Sequence, residues 1–88
     1  MKLVMAIVND KNVDEIITRL IENDFRVTKI ATTGGFLRQG NTTLLIGTEE
    51  NLVDEALKIM REEIEEPSDP GHRRATVFVI DVAKFTQL

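Results

Sequence analysis

The sequence predicts an α+β fold in which a four-stranded antiparallel sheet carries two helices on one face. The main observation is that strand-like apolar runs and helix-like periodicities follow one another in the order βαββαβ. A glycine-containing loop joins the two middle strands, which predicts that they pair antiparallel. The 88 residues suffice for one hydrophobic core, so we expect a single domain over residues 1–88.

The first strand and helix are predicted by a change of period. Lys2–Val8 is a continuous apolar run of strand length. After it, apolar residues recur at the spacing of one helix face: Val13, Ile16, Ile17, Leu20 and Ile21. Asn12 followed by Glu15 fits a reciprocal N-terminal capping pair, and we expect this helix to end near Asn23.

The middle of the chain predicts a strand pair. Phe25–Thr32 is rich in β-branched and aromatic residues, and alternation places Arg26, Thr28 and Ile30 on one face. Residues 33–41 contain three glycines and predict a loop. Residues 42–47 resume a strand pattern.

The last two elements follow from the same signals. Apolar residues at helical spacing predict a second helix over about residues 49–65, with Thr48 as its N-cap. Pro67 and the glycine after Pro70 end it, and Ala75–Ile80 predicts the last strand. With both helices on one face, the other face of a largely apolar sheet is left bare. We therefore expect an oligomer.

Composition excludes several classes of protein. A net charge of −4 argues against nonspecific binding of nucleic acid or of anionic membranes. The N-terminal apolar run is too short for a signal peptide or a membrane span, so we expect a cytoplasmic protein. With no cysteine, one serine and one histidine, the chain offers no nucleophile with a positioned base, and we do not expect an enzyme or a metal site.

Basic residues and glycines concentrate in one segment. Between Phe25 and Gly47 there are three basic residues and no acid. Gly34 and Gly35 allow backbone N–H groups to converge on an anion, and the side chains of Arg26 and Arg38 donate charge-assisted hydrogen bonds of the kind that phosphates accept. These features predict a phosphate-binding site.

The same loop has side chains suited to a purine base. Phe36 and Leu37 offer apolar area for stacking, and Asn41 has the donors and the acceptor that a base edge requires. Gly47, inside a strand, is typical of a close approach by a ligand or another backbone, although a bulge explains it too. The simpler interpretation also stands: a hairpin loop whose Phe36 and Leu37 pack into the core.

Two motif-based interpretations fail. Residues 35–42 have the glycine spacing of a P-loop, but Asn41 replaces its lysine and the loop does not open a helix. An RNA-binding sheet of this topology would carry aromatic residues on its central strands, and Lys2–Val8 has none.

The segment from Phe25 to Gly47, with Thr-Thr-Gly-Gly-Phe-Leu followed by Gly-Asn-Thr-Thr, resembles the cyclic di-AMP receptor branch of the PII-like superfamily. Residues 75–79 extend the resemblance. It implies a homotrimer of ferredoxin-like subunits that binds cyclic di-AMP in the clefts between neighbours and signals to a downstream protein partner. It implies no catalysis and no cofactor. The ligand-binding positions it implies are Arg26, Thr28, Gly35, Phe36, Leu37, Asn41, Gly47, Phe78 and Gln87.

Two departures from the family pattern leave an alternative open. Residues 67–74 predict only a short turn where members of the family that it resembles have a long loop. We expect this to affect the signalling output, and the role of Arg73 and Arg74 stays open. Asp24 stands where a neutral asparagine is usual, and its charge opposes an anionic ligand. The alternative is a trimeric module of this architecture that senses another nucleotide or metabolite, or has lost its ligand.

Overall fold

The computed structural model describes residues 1–30, 40–64, 75–84 and 86–88. The elements run in the predicted order. They are strand β1 (Lys2–Asn9), helix α1 (Asp10–Glu22), strand β2 (Arg26–Ile30), strand β3 (Asn41–Thr48), a 3₁₀ turn (Glu50–Leu52), helix α2 (Val53–Glu63) and strand β4 (Ala75–Asp81). The α+β, ferredoxin-like prediction is confirmed.

The four strands form one antiparallel sheet in the order β2-β3-β1-β4. Alternation along each strand divides the sheet into two faces. The inner face lies under both helices, and its central strands contribute fully buried side chains: Val4, Ala6, Val8, Leu44 and Ile46. The helices cover them with Val13, Ile16, Leu20, Ala56, Ile59 and Met60. The core therefore lies on one side of the sheet, as the apolar periodicity of the two helices predicts.

Both predicted helix starts are wrong. Helix α1 is capped by Asn9, whose side-chain Oδ1 accepts a hydrogen bond from the Lys11 backbone N–H at 3.0 Å, and Asn12 is buried within the helix. Thr48 ends β3 and caps nothing, because the 3₁₀ turn precedes α2. The end of α1 at Asn23 is as predicted.

Helix α1 ends in a hydrogen-bonded turn that leads directly into β2. The N–H of Phe25 donates to the carbonyl of Leu20 at 2.9 Å, and the N–H of Asp24 donates to that of Ile21 at 3.0 Å. This is the Schellman pattern, whose residue after the cap takes a left-handed conformation, and Asp24 has φ 68°. Phe25 and Leu20 are both buried, so the turn is anchored in the core and fixes where β2 begins.

No helix in the described ranges is both long enough and apolar enough to cross a membrane.

Candidate functional site

The outer face of the sheet, which the helices leave uncovered, carries most of the predicted ligand residues that the structure describes. The strand registers arrange this face in rows. One row runs Arg26, Gly47, Leu3, Ile80 and the next runs Thr28, Leu45, Met5, Phe78. A third row runs Ile30, Thr43, Ile7, Thr76. The predicted common face of Arg26, Thr28 and Ile30 is therefore confirmed.

Three of the predicted residues are close neighbours. Arg26 lies directly opposite Gly47, and Thr28 is two residues along from Arg26 on the same face. Arg26 and Thr28 are exposed, and Arg26 makes no salt bridge to any described residue. This trio, Arg26, Thr28 and Gly47, thus presents an available guanidinium and a hydroxyl beside a residue without a side chain. Such a set can bind phosphate or ribose oxygens.

Nothing in the described chain requires the glycine at position 47. A Cβ built there has no heavy atom within 4 Å, and Gly47 does not have the left-handed φ that favours glycine. The open space over Gly47 lies next to Arg26, since Gly47 and Arg26 are paired across β3 and β2. A glycine with empty space over it on a strand is what close approach by a ligand or another chain needs.

The other predicted residues lie far from this trio within one chain. Asn41 is six residues from Gly47 along β3, which corresponds to roughly 20 Å in an extended strand. Phe78 is 49% exposed and lies three strand spacings from Thr28 in the same row, roughly 14 Å away. Gln87 is exposed in the tail beyond β4. Gly35, Phe36 and Leu37 lie outside the described residues, as does Arg38.

The start of β3 is held by the N-terminus of α1. The Asp10 N–H donates to the Gly40 carbonyl at 2.8 Å, and the Thr42 hydroxyl donates to the Asp10 carboxylate at 2.5 Å. Gly40 has φ 91°, a conformation that a residue with a side chain rarely adopts. These contacts fix Asn41, which lies between Gly40 and Thr42 and pairs with Asn9. Sequence reasoning missed the hydrogen bonds of Asp10 to Gly40 and Thr42, because they join residues about thirty positions apart.

A cleft of about 310 Å³ opens beside Arg26 and Gly47. The residues that line it include the acidic Asp24, Glu49 and Glu55 in addition to Arg26. The volume is at the lower end of the range for ligand pockets, so the cleft has room for part of a dinucleotide only. Its carboxylates disfavour a ligand with several negative charges unless further cations are supplied.

Comparison with known proteins assigns the chain to a family. The family model described as the cyclic-di-AMP receptor matches residues 1–70. The chain belongs to the cyclic-di-AMP receptor family. The matched residues include β1, α1, β2, β3 and α2, and so contain the Arg26, Thr28 and Gly47 trio and Asn41. The resemblance stated from the sequence is confirmed, and the family is one of receptors, not of known enzymes.

A solved relative of this receptor chain has the same fold along its whole length. A crystal structure titled as a functionally unknown protein from Pediococcus pentosaceus ATCC 25745 matches with a TM-score of 0.81 and 38% sequence identity. The match covers 99% of this chain and 96% of that one. The two chains are therefore similar in length, with no large insertion in either.

Thr43 is a candidate residue of this receptor chain that sequence reasoning missed. It lies on the outer face between Ile7 and Ile30, is 5% exposed, and its hydroxyl has no hydrogen-bond partner among the described residues. In the sequence it is one of two adjacent threonines in a strand, a pattern that gives no sign of an unsatisfied hydroxyl.

Proposed function

We propose that this protein is a PII-like signal transduction protein that binds cyclic di-AMP at clefts between the subunits of a homotrimer and relays binding to a partner protein in the cytoplasm. The match of the cyclic-di-AMP receptor family over residues 1–70 carries the proposal. That range contains seven of the nine positions for which the sequence predicts ligand contact. They are Arg26, Thr28, Gly35, Phe36, Leu37, Asn41 and Gly47.

The chemistry of the trio supports a phosphate-bearing ligand. The Arg26 guanidinium is always charged and carries five donors in a planar fork that suits phosphate oxygens. It is not engaged by a described carboxylate, and the open space over Gly47 lets a ligand approach the strand backbone beside it. One phosphate of a cyclic dinucleotide fits this arrangement.

The spacing of the residues supports a site shared between subunits. On one chain Asn41 is roughly 20 Å from Gly47 and Phe78 is roughly 14 Å from Thr28, and the cleft beside Arg26 is about 310 Å³. A neighbouring subunit that brings its own copy of these residues to the cleft would enclose the rest of the ligand. The outer face also offers the apolar surface for association, since Phe78 and Ile80 are 49% and 42% exposed.

A second candidate is the same trimeric module with a different ligand, or with none. The carboxylates of Asp24, Glu49 and Glu55 in the cleft favour this alternative, because they repel a dianionic nucleotide. A thermal-shift panel with cyclic di-AMP, cyclic di-GMP, ATP, ADP and AMP separates the two. A ligand at 100 times its dissociation constant stabilises by about 2.7 kcal/mol, and we expect only cyclic di-AMP to do so at micromolar concentration. Absence of that response would support the second candidate.

Substitution of Arg26 tests the site itself. Arg26→Ala should abolish the thermal shift with cyclic di-AMP, because the phosphate loses its charged donor. Lys29→Ala is the matched control: it removes a positive charge from the same strand, but Lys29 lies on the opposite face. The control should respond as wild type. If Arg26→Ala fails to fold or both variants respond equally, Arg26 is not the phosphate ligand.

A further inference from the structure

One hydroxyl on the outer face is buried without a hydrogen-bond partner. Thr43 pairs with Ile7 on one side and Ile30 on the other, and only 5% of its surface is exposed. Its Oγ1 atom is closed off from solvent and makes no hydrogen bond to any described residue. Native proteins satisfy most buried hydroxyls, because one without a partner loses its hydrogen bonds to water and gains none.

The described residues give no structural reason for a hydroxyl at this position. Valine has nearly the same shape, is β-branched, and suits a strand equally well. The adjacent Thr42 provides the contrast: its hydroxyl donates to the Asp10 carboxylate at 2.5 Å and helps to hold the start of β3. A structural role thus explains the hydroxyl of Thr42 and leaves that of Thr43 unexplained.

The surroundings of Thr43 indicate what kind of group would pair with its hydroxyl. Asn41 is two residues away on the same face, roughly 7 Å along the strand. The outer-face neighbours Ile7, Ile30 and Leu45 are uncharged, and Gly47, the partner of Arg26, is four residues away, roughly 13 Å. A phosphate would find no cation among these neighbours. A neutral purine edge, which alternates hydrogen-bond donors and acceptors, suits a hydroxyl and an amide.

We propose that Thr43 is a ligand-binding residue whose hydroxyl pairs with a polar atom of a purine base beside Asn41. This inference rests on the proposed function and adds a base-reading position to it. A hydroxyl can donate a hydrogen bond to a ring nitrogen or accept one from an exocyclic amine. Because the hydroxyl is shielded in the ligand-free chain, binding requires side chains around it to shift. Ile30, which is 38% exposed, is a neighbour with open space beside it.

Titration of cyclic di-AMP into Thr43→Val and Thr43→Ser tests the inference. The valine variant keeps the shape and loses the hydroxyl, so its affinity should fall about 3- to 10-fold, the value of one hydrogen bond. The serine variant keeps the hydroxyl and should bind within about twofold of wild type. Without ligand, the valine variant should unfold at a higher temperature than wild type, because an unsatisfied hydroxyl has been removed.

Three results would overturn the assignment of Thr43. One is wild-type affinity in the valine variant. Another is a lowered unfolding temperature of the ligand-free valine variant, which would mean that the hydroxyl is already paired. If the valine variant does not fold, Thr43→Ala takes its place, because alanine also lacks the hydroxyl. The third contradicting result is then wild-type affinity in the alanine variant. A wild-type protein that binds no cyclic di-AMP contradicts the proposed function itself, and the Thr43 inference fails with it. Binding by wild type that is unaffected in the variants contradicts only the role of Thr43.

Discussion

Asp24 shows how the end of a helix sets the charge of the cleft. Its φ of 68° is the left-handed conformation that the hydrogen-bonded turn after α1 requires, a position that glycine or asparagine occupies more readily than aspartate. The same turn holds Asp24 at the wall of the cleft that contains Arg26 and Gly47. The backbone therefore holds an acidic residue at the cleft that Arg26 also lines, and its charge lowers the attraction of the cleft for an anion.

Gly47 provides a test at the residue scale, because folding and binding should respond to it in opposite ways. Gly47→Ala adds a Cβ that meets no atom of the described residues within 4 Å and removes the conformational freedom of a strand glycine. The unfolding free energy should therefore stay the same or rise by about 0.5–1 kcal/mol. Affinity for cyclic di-AMP, measured by calorimetry, should fall at least tenfold, because the methyl group occupies the space over the strand.

The contrasting variant is Gly40→Ala, on the residue just before β3. Within the described ranges, a Cβ built on Gly40 also has no atom within 4 Å. Its φ of 91° strains any side chain, however, so this variant should unfold more easily than wild type. A Gly47→Ala protein that is destabilised to the same degree would show that Gly47 serves the fold and not the ligand.

At the scale of elements, the ends of β1 and β4 are joined by an ion pair. Lys2 and Asp81 lie directly opposite each other in the register, and the Lys2 ammonium donates a hydrogen bond to the Asp81 carboxylate. That hydrogen bond and the positive charge of Lys2 lower the pKa of Asp81. The same hydrogen bond and the negative charge of Asp81 raise the pKa of Lys2. Beyond the pair, the Val82 N–H donates to the Met1 carbonyl at 3.1 Å, so the end of β4 is held to β1 by side chains and backbone.

The pKa shift of Asp81 fixes the sign of a pH effect on stability. Because its pKa is lower in the folded chain, the pair stabilises above the ordinary carboxyl pKa of about 3.9, and the contribution disappears as pH falls through that value toward the lowered one. Asp81→Asn should therefore lower the urea midpoint at pH 7, and the difference from wild type should shrink as the pH falls below the ordinary carboxyl range. The difference at pH 7 should be small and should shrink in salt, since Asp81 is largely exposed.

Asp14→Asn is the control for this comparison, because Asp14 is exposed and makes no salt bridge to a described residue. If the pH profile of Asp81→Asn coincides with that of Asp14→Asn, the loss of Asp81 acts only through the net charge of the protein, and its pairing with Lys2 contributes nothing to stability.

The elements themselves could be predicted from the sequence, because each has a distinct apolar period and the loops carry glycine or proline. The helix starts could not. Asn9 and Asn12 are both suitable N-caps, and only the length of β1, which runs to Asn9, decides between them. Thr48 is also a suitable N-cap by residue type, and nothing in the sequence shows that β3 extends to it or that a 3₁₀ turn precedes α2.

For the candidate site, alternation predicted that Arg26 and Thr28 share a face, and the register adds that Gly47 lies opposite Arg26. Sequence reasoning could not show how far Phe78 lies from Thr28, since the order of strands in the sheet sets that distance. It also could not find Thr43, because an unsatisfied hydroxyl is a property of the packed structure.

At the scale of the whole molecule, the sheet exposes apolar side chains on both faces of its β4 edge. Val77 and Val79 point to the helix side and are 38% and 47% exposed, while Phe78 and Ile80 are on the outer face. An edge strand of this kind invites association with another chain. With the proposed site divided between distant parts of one chain, this surface supports the proposed trimer with shared clefts.

Calorimetric titration of cyclic di-AMP into the wild-type protein, with the mass of the assembly measured by light scattering in the same buffer, tests the central claim most directly. We expect an assembly with three times the mass of one chain, and saturation at one cyclic di-AMP per subunit. A protein that takes up no cyclic di-AMP at millimolar concentration, or that saturates fully as a monomer, would contradict the account.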